Sequence, residues 1–221
     1  MEAARRGSVR SRCGGLVAMA TLLGLALAAT AGAAVVINEI LYDPMGVDDG
    51  QERVELYNNG GTGFDLTGHA LCNFPAYWDL PAMTLASGEY LVIRWNTTGT
   101  DGPLEFYTGP TFKALSATDQ LGLYIGTVAS LPFVNPAAIL DYVQWGVGNQ
   151  AGRAGVAETA GIWVNNDFLA AVAEGVSLAL FPDGDDRDDS SNWSGMAPSF
   201  GGGNAVPVEA TTWGRIKELY Q

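Results

Sequence analysis

Cysteine is nearly absent from this 221-residue chain, with Cys13 and Cys72 the only two, and Cys13 falls in a leader-like N-terminus. Once exported, the chain keeps Cys72 alone, so no intramolecular disulfide holds the fold and hydrophobic packing must do so. Cys72 follows Leu71 in a strand-like run and reads as a small buried hydrophobe. Histidine is scarcer still. His69 is the only one, there is no G-x-S-x-G elbow, and no His/Cys cluster has zinc spacing. A Ser/His/Asp or metallohydrolase site therefore has almost no material. His69 itself reads as an aromatic core position at a sheet edge. Positive charge is sparse too: 11 Lys and Arg stand against 24 Asp and Glu, for a net charge of −13. Within that total, Arg5, Arg6, Arg10 and Arg12 against Glu2 give the leader +3, so the rest of the chain is near −16. Such a surface repels phosphate backbones, and no basic stripe offsets it. Nucleic acid is thus not an expected partner, whereas cations, sugars and basic proteins are compatible.

The only extended apolar run, Leu16 to Ala29, lies behind those arginines and ahead of Ala31-Gly32-Ala33, a small-x-small cleavage pattern. Residues 1–33 read as a secretory signal peptide. The run is rich in Ala and Gly and shorter than the roughly 20 residues that span a bilayer, so no stable transmembrane segment is expected after cleavage. The expected address is secreted, cell surface or periplasm. Cys13 precedes the run and is not placed as a lipoprotein cysteine.

What is plentiful is strand and turn chemistry. Val54/Leu56, Leu91/Ile93, Leu121/Leu123/Ile125 and Tyr142 to Trp145 lie in short runs of β-branched and aromatic residues bounded by Gly, Pro, Asn and Asp, the signature of half-buried strands. No long window carries a helical period. Short strands at fairly even spacing predict an all-β sandwich or barrel, and residues 34–200 suffice for one domain. Residues 201–210 read as a Gly-rich flexible linker. Beyond it, Thr212 caps a short amphipathic helix over 211–221, with Trp213, Ile216 and Tyr220 on its apolar face. That face is expected either to dock on the domain or to bind a partner.

Two acidic turns carry the chemistry worth naming, Asp43 to Gly50 and Asp183 to Ser190. Calcium takes six to eight oxygens, and Asp183, Asp185, Asp186 and Asp188 are the candidate ligands, although the spacing is not that of an EF-hand. The alternative is a solvated turn whose aspartates accept backbone N–H bonds. Glu39, Glu52 and Glu55 lie close enough in sequence to suggest paired carboxylates, but Glu39 and Glu55 alternate with apolar residues and read as the solvent-facing side of their strands. Among the tryptophans most are expected in the core. Trp163, after the Gly/Ala-rich stretch from Gly146 to Ala160, is the candidate exposed platform for a partner.

Val35 to Asn58, V-V-I-N-E-I-L-Y-D-P-M-G-V-D-D-G-Q-E-R-V-E-L-Y-N, resembles the opening of a lamin-tail domain. The resemblance continues in order through Phe64-Asp65-Leu66-Thr67-Gly68, Leu85-Ala86-Ser87-Gly88-Glu89-Tyr90-Leu91-Val92, Asp119-Gln120-Leu121-Gly122-Leu123, Asp141-Tyr142-Val143-Gln144-Trp145-Gly146 and Ser177-Leu178-Ala179-Leu180-Phe181-Pro182-Asp183-Gly184. It departs at His69, Thr118 and Leu180, where that family has Trp, Gly and Arg. The resemblance implies an immunoglobulin-like β-sandwich, exported in bacteria, that acts as a binding or surface-structural module and not as an enzyme. Its partners would be proteins or glycans of the cell envelope. A calcium-assisted adhesion or glycan-binding module and an accessory domain of an extracellular hydrolase system are the two alternative expectations.

Overall fold

The computed structural model describes residues 35–48 and 50–204. The expected signal peptide at 1–33 and the terminal helix at 211–221 fall outside them. Twelve strands form among the described residues: β1 Val35–Leu41, β2 Arg53–Asn58, β3 Phe64–Asp65, β4 His69–Asn73, β5 Ala76–Asp79, β6 Thr84–Leu85, β7 Tyr90–Arg94, β8 Glu105–Tyr107, β9 Asp119–Ile125, β10 Ile139–Trp145, β11 Ser177–Leu180 and β12 Trp193–Met196. Each strand predicted from β-branched and aromatic runs is present. They build a six-stranded sheet in the order β12-β11-β1-β2-β7-β8, a four-stranded sheet in the order β10-β9-β4-β5, and a small β3-β6 ribbon. All pairings are antiparallel except β7 with β8.

The two sheets bury their facing side chains against one another. Ile37, Val54, Leu56, Leu91, Ile93 and Leu180 come from the larger sheet, Leu71, Leu121, Leu123 and Val143 from the smaller, and all are fully buried. At about 25 cal/mol per Å² of apolar surface removed from water, this contact is the main source of stability in a fold with no disulfide. Cys72 is free and buried, and burial pushes its thiol up to about 12, so it behaves as a small hydrophobe. Trp145 and Trp95 have no exposed surface. Their indole N–H groups donate to the carbonyls of Ser116 and Lys113, at 2.6 and 2.8 Å, so the loop before β9 is tied to the core.

One helix, α1 Ala154–Ala160, occupies part of the stretch from Gly146 to Ala160 that the sequence reading takes as loop. Its seven residues are too few for a periodic signal. Ala154 and Ala157 are buried, and Gly161 ends it in the left-handed region at φ 78°, where a glycine costs least. No helix among the described residues is long and apolar enough to cross a membrane.

The sheets are joined by a buried polar tie. Pairing registers slip at Ile37/Glu39 in β1 and at Ile139/Asp141 in β10, the mark of β-bulges, which leave backbone groups unpaired. The Asp141 carboxylate accepts the Ile37 N–H at 2.6 Å and the Tyr142 N–H at 2.5 Å. A buried carboxylate from one sheet thus satisfies a donor of the other.

Candidate functional site

Glu39 and Glu55 are the first correction. Both have no exposed surface, although the alternation along their strands places them on the outward face, opposite the core. The face is as expected, but segment 197–204 lies across it. Ser199 N–H donates to Glu39 at 3.0 Å, Gly201 N–H to Glu55 at 2.6 Å, and Asn204 N–H to both oxygens of Asp183 at 3.1 Å. Phe200 stacks under the Arg53 guanidinium, 5.4 Å from ring centre to Cζ. The described part of the expected flexible linker, 201–204, is therefore held in place, because two carboxylates, Glu55 and Asp183, accept its backbone donors from Gly201 and Asn204. Gly201 sits at φ 82°, a conformation glycine adopts without strain.

Asn38, the extra residue of the β1 bulge, completes this arrangement. Its Nδ2 donates to Glu55 at 3.0 Å and Asp183 at 2.9 Å, and its Oδ1 accepts the Gly184 N–H at 3.0 Å. Burial pushes the Glu55 carboxyl up to about 8 against the lowering effect of Asn38 and Gly201, and raises Glu39 for the same reason. Glu52 does not join them. It accepts the Leu115 N–H at 3.0 Å, and burial raises it to about 7. With every one of these carboxylates covered and committed to backbone donors, none faces another across an open cleft, so the glycosidase-like pairing has no geometry.

The four aspartates of the second acidic turn separate. Asp183 faces Asn38 and Asn204. Asp185 holds Arg187 at 3.1 Å and the Asn192 amide at 2.6 Å. Asp186 accepts the Asp188 N–H at 3.0 Å and turns toward buried Asp141. Asp188 lies in the left-handed region at φ 58°. Among the described residues no three His, Cys, Asp or Glu side chains are grouped as a cation requires, so Asp183, Asp185, Asp186 and Asp188 do not form one site. The turn instead follows the backbone-bonding alternative. Burial raises Asp141, Asp186 and, to about 6, Asp188; the Asp186 charge adds to the rise of Asp141 and Asp188 and the Asp189 charge to that of Asp186 and Asp188, whereas a hydrogen bond from Asp141 lowers Asp186.

Trp163 is the second correction. It is 3% exposed, lies edge-on to Tyr142 at 5.7 Å between ring centres, and donates its indole N–H to the Asp167 carbonyl at 2.9 Å. It is core, not platform: the stretch before it folds as α1 and closes over it. Trp213, Ile216 and Tyr220 lie outside the described residues. His69 is half-buried and tilted against Phe64 at 5.0 Å, as an aromatic edge position should be.

Exposed large apolar side chains lie instead on two sets of loops, one of them Ile125, Leu131 and Val134 at the β9–β10 connection, which are 49%, 65% and 71% exposed, and the other at the opposite end of β10. Met45 and Val47 in the β1–β2 turn are 71% and 68% exposed, and Val147, Val164 and Phe168 are 40% or more. These loops brace one another: Gly46 N–H donates to Glu174 at 2.6 Å, Asn166 N–H to the Asn149 side chain at 2.7 Å, and Gly175 N–H to the Asp43 carbonyl at 2.7 Å. The signal was present in Met45 and Val47, apolar residues inside an acidic turn. Beside Phe168, a cleft of about 230 Å³ opens between the segment 168–172 and β12. Nothing in the period-two pattern announced it.

Two facing sheets, bulge-tied and with exposed loops, define an immunoglobulin-like sandwich. The family model for the Lamin Tail Domain matches residues 28–189, and the chain belongs to that family. No curated protein matches the chain. Strand β12 and the bound segment 197–204 lie beyond the matched residues.

Proposed function

We propose that this is an exported, non-catalytic binding module that attaches to a protein or glycan of the cell envelope through the loops at one end of its sandwich. The observation that carries the reading is the apolar loop cluster. Met45, Val47, Val147, Val164 and Phe168 hold their side chains in water on braced loops of an otherwise acidic chain, and exposed apolar surface of this kind marks interaction sites. Export rests on the basic leader, its apolar run and Ala31-Gly32-Ala33. Intact mass from the native host is expected to give an N-terminus near Ala34, and a cytosolic species beginning at Met1 sinks that part. For the binding role, mature protein and a Met45→Ser/Val47→Ser/Phe168→Ser variant are used to capture partners from the native envelope. A partner held by the first and released by the second is expected; equal capture by both removes the loop end as the site.

A calcium-assisted form is the second reading. The contact it would use is that of Asp141 with Asp186, where Asp186 raises the Asp141 carboxyl and a hydrogen bond from Asp141 lowers that of Asp186, so a divalent cation would take the place of the proton between them. Calcium at ten times its Kd adds about 1.4 kcal/mol to stability, so an unchanged melting temperature in calcium against chelator removes this reading.

A further inference from the structure

We propose that the cleft beside β12 is a binding site for an extended cationic peptide of a partner protein, which adds as a strand to β12 and seats one apolar side chain in the cleft. The inference rests on the binding-module reading and names the partner chemistry. Four observations lead to it. Strand β12 ends the six-stranded sheet, and among the described residues no strand lies on its outer side. Such an edge offers a row of backbone donors and acceptors to an incoming strand.

The cleft adjoins that edge. Phe168, Leu169, Val172, Leu178 and Trp193 give it apolar walls, with Ser190 and Ser194 at its rim, and its 230 Å³ suits one large side chain, not a helix. Glycine keeps it open: a Cβ at Gly195 would stand 2.9 Å from Val172 Cγ1. Lastly, the charge is one-sided. From 154 to 204 there are eight acidic residues and a single basic one, Arg187, already paired with Asp185. Asp167, which holds Ser190 at 2.6 Å through the backbone and 2.8 Å through the hydroxyl, stands next to Phe168. Lysines alternating with apolar residues complement both walls and field.

The probe is a terminally blocked peptide alternating Lys with Val and one central Phe, titrated into the full chain by calorimetry. Its controls replace Lys by Glu, or Phe by Ala. Ala170 is exposed at the cleft, so Ala170→Trp fills the cleft without touching the core. Binding that falls roughly tenfold or more in Ala170→Trp, and that is lost in both control peptides, supports the proposal. Should Ala170→Trp not fold, Ala171→Arg places a repelling cation at the same rim and carries the same expectation. Equal affinity in the variant, equal affinity of the Ala peptide, or no binding at all overturns it. So does binding that appears only after residues 205–221 are removed, which makes the chain's own terminus the occupant, or a concentration-dependent dimer abolished by Ala170→Trp, which makes it a second copy. Envelope capture that survives Ala170→Trp while the peptide fails to bind leaves the module reading standing and sinks the cleft alone.

Discussion

Glu39 and Glu55 face each other across β1 and β2 as a directly registered pair, and both carboxyl groups are fully buried beneath the same segment, accepting Ser199 and Gly201. Like charges directly opposite in a sheet are ordinarily destabilising. Here burial raises both carboxyl groups, so a proton on one relieves the repulsion.

A pH dependence follows from that. Glu55 is raised from an ordinary carboxyl value to about 8 and Glu52 to about 7, chiefly by burial. A group with a raised folded value favours the folded state while it stays protonated. Its contribution is complete below the unfolded value and is lost as pH climbs through 7 and 8. At about 1.4 kcal/mol for each tenfold change in ionisation, the loss amounts to a few kcal/mol. Melting temperature is expected to fall steadily between pH 5 and pH 9, and Glu55→Gln to flatten the fall. A profile that rises over that range contradicts the assignment.

The bound segment gives a second prediction. Removing residues 199–221 uncovers Glu39 and Glu55 and takes three N–H donors from the sheet, whereas removing only 205–221 leaves every one of these bonds intact. Each such bond is worth about 0.5–1.5 kcal/mol to a protonated carboxyl and about 1.5–3 kcal/mol to an ionised one, offset in part by restored hydration. The longer truncation is expected to cost about 2–4 kcal/mol by urea unfolding. Hydrogen exchange supplies an independent reading: the Gly201 and Asn204 amides should be protected, and exchange at the free-peptide rate would mean that the segment is not held.

The sheets were legible because their signals are local. Val54/Leu56 and Leu91/Ile93 alternate within five or six residues, and they became β2 and β7. Glu39 shows where locality ends. Its outward face was readable from the same alternation, but its burial depends on Ser199, 160 residues away. The aspartates after Phe181 show the other limit. Neighbours in sequence, Asp185 and Asp186 meet Arg187 on one side and Asp141 on the other, because a tight turn sends consecutive side chains in different directions. Spacing alone suggested one ligand set where the turn makes separate contacts.

Trp163 tests the corrected reading of the aromatic residues. With 3% exposure and contact to Tyr142, it is a packing residue, and Trp163→Ala leaves a cavity expected to cost about 3–5 kcal/mol. Trp163→Phe keeps the edge contact but loses the bond to the Asp167 carbonyl, and should cost less. Urea unfolding separates the two. A Trp163→Ala protein as stable as the parent would return this side chain to the surface.

Asp186 offers the most discriminating substitution, because its neighbour fixes the sign. Asp141 is buried and already accepts two backbone N–H groups, from Ile37 and Tyr142, so an additional N–H donor suits it and another carboxylate does not. Asp186→Asn supplies that donor: its Nδ2 is directed to the Asp141 carboxylate while its Oδ1 still accepts the Asp188 N–H. Stability at pH 8 is expected to rise by roughly 1–2 kcal/mol, within the range of a charge-assisted bond, with a smaller gain at pH 5, where protonation of the parent pair is further advanced. The mirror substitution should do the opposite. Asp141→Asn turns an N–H donor toward the Ile37 or Tyr142 N–H, leaving two donors in opposition at the tie between the sheets, and is expected to cost about 1–3 kcal/mol at either pH. Thermal melts of the two variants at both pH values decide the matter. If Asp186→Asn destabilises at pH 8, the two carboxyl groups do not oppose each other, and the calcium-assisted reading loses its supporting contact with them.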